Sequence, residues 1–190
     1  LEVFARKKTP TIEEYQDIFG MIQNQTERLS HLSEVLLDMT GIQSVERSDF
    51  ISLAELTDEV CCDLASIADQ KKVELIQEEG DCTVTGSYLL LYRAVYNLVE
   101  NAIKYNHSGG KVTVKISQKK DLPAAHSKPT DYALVEVTDT GIGISPEFQE
   151  KIFDPFFRVD KSRSRAMGGA GLGLALVNEI ARQHNGQVKV

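Results

Sequence analysis

Asn97, Asn101, Lys104 and Tyr105 recur at i, i+4, i+7 and i+8, a spacing that puts all four on one face of a helix. That face offers amide oxygens, a cation and a ring. The intervening Leu91, Val95, Leu98, Val99, Ala102 and Ile103 form an apolar stripe that would dock the helix on a sheet and leave the polar face to line a cavity. Taken alone, the same pattern serves equally well as a solvated surface helix.

Two glycine-rich stretches follow. In Asp139-Thr-Gly-Ile-Gly143 a carboxylate at a strand end can accept a hydrogen bond from an exocyclic amine, while Gly141 and Gly143 let a flat base approach the backbone. Alone, it is also an ordinary turn. In Gly168-Gly-Ala-Gly-Leu-Gly-Leu174, Gly169, Gly171 and Gly173 precede or open a helix, whose free N–H groups and positive end can hold phosphates without a cationic side chain. The bland counterpart is a helix entered through a flexible turn. Neither GxxxxGK[ST] nor a strand-led GxGxxG is present. Between the two stretches Arg158, Lys161, Arg163 and Arg165 supply four cations, either phosphate contacts or a solvated basic face.

The elements that must position these groups read as follows. Thr9-Pro10 caps a helix whose Tyr15, Ile18, Ile22, Gln25, Leu29, Leu32, Leu36 and Met39 alternate steps of three and four, with Phe19, Val35 and Leu37 widening the stripe. A stripe this wide suits a four-helix bundle, which one helix cannot build, so dimerisation is expected. Thr40 to Asp49, with Gly41, reads as a linker. Ser52 and Glu55 make a capping box for a helix to about Asp69. Val73 to Gln77 and Cys82 to Thr85 read as strands, Ser87 caps the central helix, and Lys111 to Ser117 and Tyr132 to Thr138 alternate as half-buried strands. Lys119 to Asp131 reads as a loop, Pro146 starts a short helix to about Phe153, Gly171 to Asn185 is helical, and Gln187 to Val190 begins a strand.

The 190 residues are 42% hydrophobic, enough for a core, and the net charge of −7 argues against a nucleic-acid surface. No apolar run approaches the ~20 residues needed to span a bilayer. Cys61, Cys62 and Cys82 lack metal-ligand spacing and read as small buried or half-buried residues. His31, His107, His126 and His184 have no ligand partner at useful spacing.

The order of the Asn-rich helix, Asp-Thr-Gly-Ile-Gly, Phe-Asp-Pro-Phe-Phe and Gly-Gly-Ala-Gly-Leu-Gly-Leu resembles the catalytic ATP-binding domain of sensor histidine kinases, from about Phe50 to Val190. Thr9 to Gly41 resembles, more loosely, the second helix of their dimerisation and phosphotransfer domain. The resemblance implies an α/β (α+β) sandwich, a mixed sheet covered on one face by helices. Residues 1–45 would be part of a dimerisation hairpin and 49–190 the catalytic domain, its last strand lying beyond Val190. Ala5-Arg-Lys-Lys-Thr-Pro10 is not the phosphoacceptor box, because alanine stands where histidine should; neither does His31 replace it. The acceptor is expected upstream of Leu1, so this chain should bind ATP without labelling itself.

The same resemblance implies the site. Asp139 would read adenine, with Gly141, Ile142, Gly143, Ile144, Tyr105 and Phe156 around the nucleoside. Gly169, Gly171, Leu172, Gly173 and Leu174 would hold phosphates, although Ala170 replaces the family's threonine. Asn101 would bind Mg2+, Lys104 a phosphate, and Arg158 the γ-phosphate. Phe153, Phe156 and Phe157 read as hydrophobic anchors. Related ATP-hydrolysing enzymes carry glutamate where Asn97 stands, and an amide cannot act as a base. Glu100 remains a candidate base or polariser, and transfer to histidine is favoured over hydrolysis. The implied partners are a homodimer copy and a response-regulator receiver domain, with a cytoplasmic location and a bacterial membrane reached through other segments. The rivals are a noncatalytic nucleotide-binding signalling module and a serine kinase of the anti-sigma type.

Overall fold

The computed structural model describes residues 11–12, 15–16, 18–23, 26, 45–121, 130–159 and 171–190. Expectations for Thr9-Pro10, Gln25, Leu29 to Met39, His31, Gly41, His126, Lys161, Arg163, Arg165, Gly168, Gly169 and Ala170 lie outside the described residues. Residues 12, 15–16, 18–23 and 26 are helical, with Ile12, Tyr15, Phe19, Met21 and Ile22 exposed.

The remaining elements are β1 (Asp49–Ser52), α1 (Leu53–Lys71), β2 (Glu74–Gln77), β3 (Thr83–Gly86), α2 (Tyr88–Lys104), β4 (Lys111–Asp121), β5 (Thr130–Asp139), two 3-10 turns (Pro146–Phe148 and Lys151–Phe153) and α3 (Gly173–Gln183). β2, β4 and β5 form a mixed sheet. β2 runs parallel to β4 with Leu75 opposite Val112, and β4 antiparallel to β5 with Val112 opposite Asp139. β1 and β3 form a separate antiparallel pair, Phe50 opposite Thr85.

The alternation in β4 buries Val112, Val114 and Ile116 and leaves Lys111 and Lys115 in solvent, so one sheet face is apolar. Over it lies α1, whose Leu56, Val60, Leu64 and Ala68 repeat every four residues, joined by Val95, Val99, Ala102 and Ile103 of α2. Truncating fully buried Ile103 to alanine would cost about 2–5 kcal/mol. A second apolar seam joins Leu90 and Ala94 of α2 to Leu176, Val177 and Ile180 of α3, together with Leu172 just before it. Helices thus cover one face of a mixed sheet, as expected.

Several local expectations need correction. Asp49, the last residue of the expected linker, opens a strand that runs to Ser52, because β3 supplies an edge to pair with. Ser52 caps α1, its Oγ accepting from Glu55 N–H at 3.3 Å, but Ser87 occupies the start of α2 without a side-chain cap bond. Asp49 Oδ2 accepts the Tyr88 N–H instead, at 3.1 Å. The buried stripe of α2 includes Leu90 and Ala94, with Leu91 and Leu98 only half-buried, because α3 covers a flank that a single docking face would leave open. Residues 146–153 make two 3-10 turns rather than one helix. The strands β4 and β5 extend into the expected 119–131 loop. α3 starts at Gly173 because Gly171 has φ +71°, incompatible with a right-handed helix. Gln187 to Val190 pair with no strand among the described residues. Cys62 is exposed, not buried, while Cys61 and Cys82 are half-buried.

Candidate functional site

The polar face of α2 meets both glycine stretches. Asp139 closes β5, and the chain then folds back over the end of α2: Thr140 N–H donates to Lys111 O at 3.1 Å and Ile142 N–H to Tyr105 O at 3.2 Å. A Cβ on Gly141 would stand 2.5 Å from Tyr105 O, so this lacing requires glycine. Gly141 N–H donates to Asp139 Oδ1 at 2.7 Å. Oδ2 makes no hydrogen bond among the described residues and is left to accept from a ligand amine. Gly143 has φ +66° and open space beside it, and Ile142 presents its side chain to solvent at 68% exposure, ready to cover a planar ligand. Ile144 is half-buried, its carbonyl accepting from Gln149 Nε2 at 3.3 Å.

The start of α3 faces the same helix. Leu172 is its N-cap, buried and without a side-chain cap bond, so among the described residues no side chain occupies the first-turn N–H groups. Gly171 O accepts from Phe156 N–H at 2.8 Å, and a Cβ on Gly171 would stand 2.7 Å from Phe157 O. A Cβ on Gly173 would stand 2.5 Å from Asn97 Oδ1 and 3.8 Å from Asn101 Nδ2. The Asn97 amide donates back to Arg93 O at 2.8 Å. Leu174 is half-buried behind this contact.

Cations converge here despite the acidic chain. Lys104 Nζ lies 5.8 Å over the Tyr105 ring. Burial lowers its pKa, Arg158 and Lys71 lower it further, and Glu100 opposes the shift. Lys71 donates to the Lys104 carbonyl. Arg158 Nη2 is buried with no hydrogen-bond partner among the described residues. Buried donors ordinarily find acceptors, and an anion between Arg158 and Lys104 would satisfy this one. Glu100 interacts with Lys104 and Tyr96.

Phe156 differs from its expected anchoring role: it is 59% exposed and holds φ +66°, a conformation costly for a non-glycine residue. Phe157 packs against Phe148 with ring centroids 5.9 Å apart, Ile152 is buried and Phe153 half-buried, so these residues do the anchoring. Sequence reasoning missed His184. Its Nε2 lies 3.1 Å from Ser87 N and its Nδ1 2.8 Å from Ile180 O. Its place in the last turn of an expected helix was the available signal.

The sequence model of the histidine kinase-, DNA gyrase B- and HSP90-like ATPase family matches residues 86–190, the stretch that carries all of these site residues except Lys71. The chain belongs to this family. Within it, this domain is of the sensor histidine kinase type. It is 31% identical over 195 residues to the sensor histidine kinase RppB of Synechocystis sp., covering 100% of this chain and 41% of that protein. It resembles the solved mycobacterial sensor histidine kinase MprB with a TM-score of 0.56 at 28% identity, covering 73% of this chain and 80% of that one. The structure of the histidine kinase ThkA in complex with the response regulator TrrA shares the fold, with a TM-score of 0.66 at 23% identity and coverage of 97% and 49%. The chain therefore spans less than half the length of RppB. The family's ATPase fold suits an Asp139 acceptor at one end of the site and an uncapped helix start with Lys104 and Arg158 at the other.

Proposed function

We propose that this domain binds ATP with Mg2+ and transfers the γ-phosphoryl group to a histidine of a helical dimerisation domain, from which it passes to an aspartate of a response-regulator receiver domain. One observation carries the reading: Arg158 Nη2, unpartnered among the described residues, and the half-buried Lys104 flank a helix start that itself rests on Asn97 and Asn101.

Asp139 Oδ2 accepts the adenine amine, and Ile142 and Tyr105 flank the nucleoside. The first N–H groups of α3, with Gly171 and Gly173, hold phosphate oxygens, and Arg158 and Lys104 neutralise the transferred group. Asn101 is the residue to hold Mg2+, through an amide oxygen suited to a hard cation. When bound there, the ion would neutralise phosphate charge. Gly169 belongs to the phosphate loop in this reading, and Glu100 is held as a polariser beside Lys104. The imidazole nitrogen forms its bond to phosphorus as the bond to the β-bridging oxygen breaks and ADP leaves; a neutral imidazole needs no base to attack. Asn97, with its amide donating to Arg93 O and wedged against Gly173, offers no base for water.

The exposed Ile12, Tyr15, Phe19, Met21 and Ile22 support residues 1–45 as part of a hairpin that dimerises with a second copy. Residues 49–190 are the catalytic domain. Among the described residues no helix is long and apolar enough to cross a membrane, and anchoring in a bacterial membrane is assigned to other segments, with this domain on the cytoplasmic side.

Mixing the chain with a complete dimerisation hairpin and labelled ATP tests the reading. Label should appear on the hairpin, labile in acid and stable in base, at a rate that rises with hairpin concentration, since tethering that normally supplies roughly millimolar acceptor is absent. Rapid phosphate release by the chain alone would make it a hydrolase, acid-stable label a serine kinase, and nucleotide binding without transfer a noncatalytic module.

A further inference from the structure

Gly173 meets Asn97 at one end of the α2–α3 seam, and His184 meets Ser87 at the other, so the two helices run antiparallel and are pinned at both ends. The second pin has a defined chemistry. Ser87 N–H can only donate, so the His184 Nε2 facing it at 3.1 Å is the unprotonated acceptor. The proton then sits on Nδ1 and is donated to Ile180 O at 2.8 Å. One tautomer of the neutral ring satisfies both bonds. A Cβ on Gly86 would lie 2.7 Å from the ring's Cδ2 and 2.8 Å from Nε2, so the backbone leading into α2 closes around the imidazole. Asp49 on Tyr88 N–H and Arg47 on Gln183 brace the same junction.

Between the pins Leu90, Ala94, Leu176, Val177 and Ile180 make an apolar seam, continued by Leu172 just before Gly173. Such a seam resists separation but is non-directional, so sliding of one helix along the other is opposed chiefly by the directional bonds of His184 at one end and the close fit of Gly173 against Asn97 at the other. α3 is 11 residues long, about 16 Å of stiff rod, and a displacement at His184 reappears at Gly173.

We propose that His184 is a positioning residue that sets the register of α3 on α2, and thereby the place of the α3 start relative to Asn101 and Lys104. This rests on reading that helix start as the triphosphate site. The adenine end is built differently, from β5 and the C-terminal end of α2, and does not depend on α3.

Calorimetry of ATP with Mg2+ and, separately, of adenosine separates the two ends. In His184→Leu, which keeps bulk and removes both ring bonds, the ATP Kd should rise about tenfold while adenosine binds as in the parent. Gly86→Ala displaces the ring without altering His184, and should give the same selective loss, deciding the matter alone should His184→Leu fail to fold. The double variant should lose no more than the larger single loss. Unchanged ATP affinity in folded variants, equal loss of ATP and adenosine, or additive losses would overturn the assignment. A parent chain that binds no ATP would overturn the nucleotide reading itself, and this inference with it.

Discussion

Asn97 and Gly173 approach so closely that a methyl on the glycine would stand 2.5 Å from the Asn97 side-chain oxygen. The contact joins the polar face of α2 to the first residue of α3. Gly173→Ala sets two effects against each other: alanine favours helix by up to about 1 kcal/mol over glycine, while the added methyl forces α3 or the amide aside. Melting should change little and the ATP Kd should rise roughly tenfold. Calorimetry beside a thermal melt checks this; an unchanged Kd would show that the amide simply turns away.

Asp139→Asn keeps an oxygen for the Gly141 N–H, so the turn should survive. The second oxygen becomes an NH2 or presents no charge, and the amine of adenine loses its acceptor. ATP binding should weaken by about 1.5–3 kcal/mol, roughly 10- to 150-fold. Equal affinity in the folded variant would remove Asp139 from the site.

Asn101→Ala removes a hard oxygen donor and leaves the glycine end of α3 intact. Mg2+ should then no longer enhance nucleotide binding, while metal-free binding persists. Titrations with and without Mg2+ decide it, and the same enhancement in variant and parent would exclude Asn101 as ligand.

Lys104→Met should move stability and binding in opposite directions. Burial, then Arg158 and Lys71, hold the folded pKa of Lys104 below its ordinary 10.5, against the pull of Glu100. In the window below 10.5 the unfolded chain therefore binds more protons than the folded one, and parent stability rises with pH there. The methionine variant should lose that rise and bind ATP more weakly. Urea melts across this alkaline range, with calorimetry, provide the check; identical pH profiles would show that Lys104 is not the group concerned.

Cys61 and Cys62 are neighbours with opposite reactivity expected. Burial, with Asp58 and Cys62 adding, pushes the Cys61 thiol up from 9.0 to about 11, whereas Cys62 is exposed. Iodoacetamide near neutral pH should alkylate Cys62 first and Cys61 only on unfolding. For Cys61 the folded chain holds its proton more firmly, so its contribution to stability declines as pH rises from 9.0 towards 11. Fragment-ion mass spectrometry of the alkylated peptide reads the order directly.

Much of this was legible in the sequence because it is periodic or steric. The step of four along α1, the alternation of Val112, Val114 and Ile116, and the i, i+4, i+7, i+8 face of α2 are set by backbone geometry that any helix or strand shares. Glycine at 141, 171 and 173 marks places where a side chain cannot fit, and the structure supplies the neighbour in each case: Tyr105 O, Phe157 O and Asn97 Oδ1. What only the tertiary structure decided involves partners distant in sequence. The second apolar flank of α2, the β1–β3 pair, the Asp49 cap on Tyr88, the bond from Ser87 to His184 and the Arg158 nitrogen left without a partner among the described residues each depend on a group tens of residues away or on its absence. Periodicity reports which face of an element is apolar, but not which other element covers it, and hydrogen bonds across such seams follow from packing that no local pattern encodes.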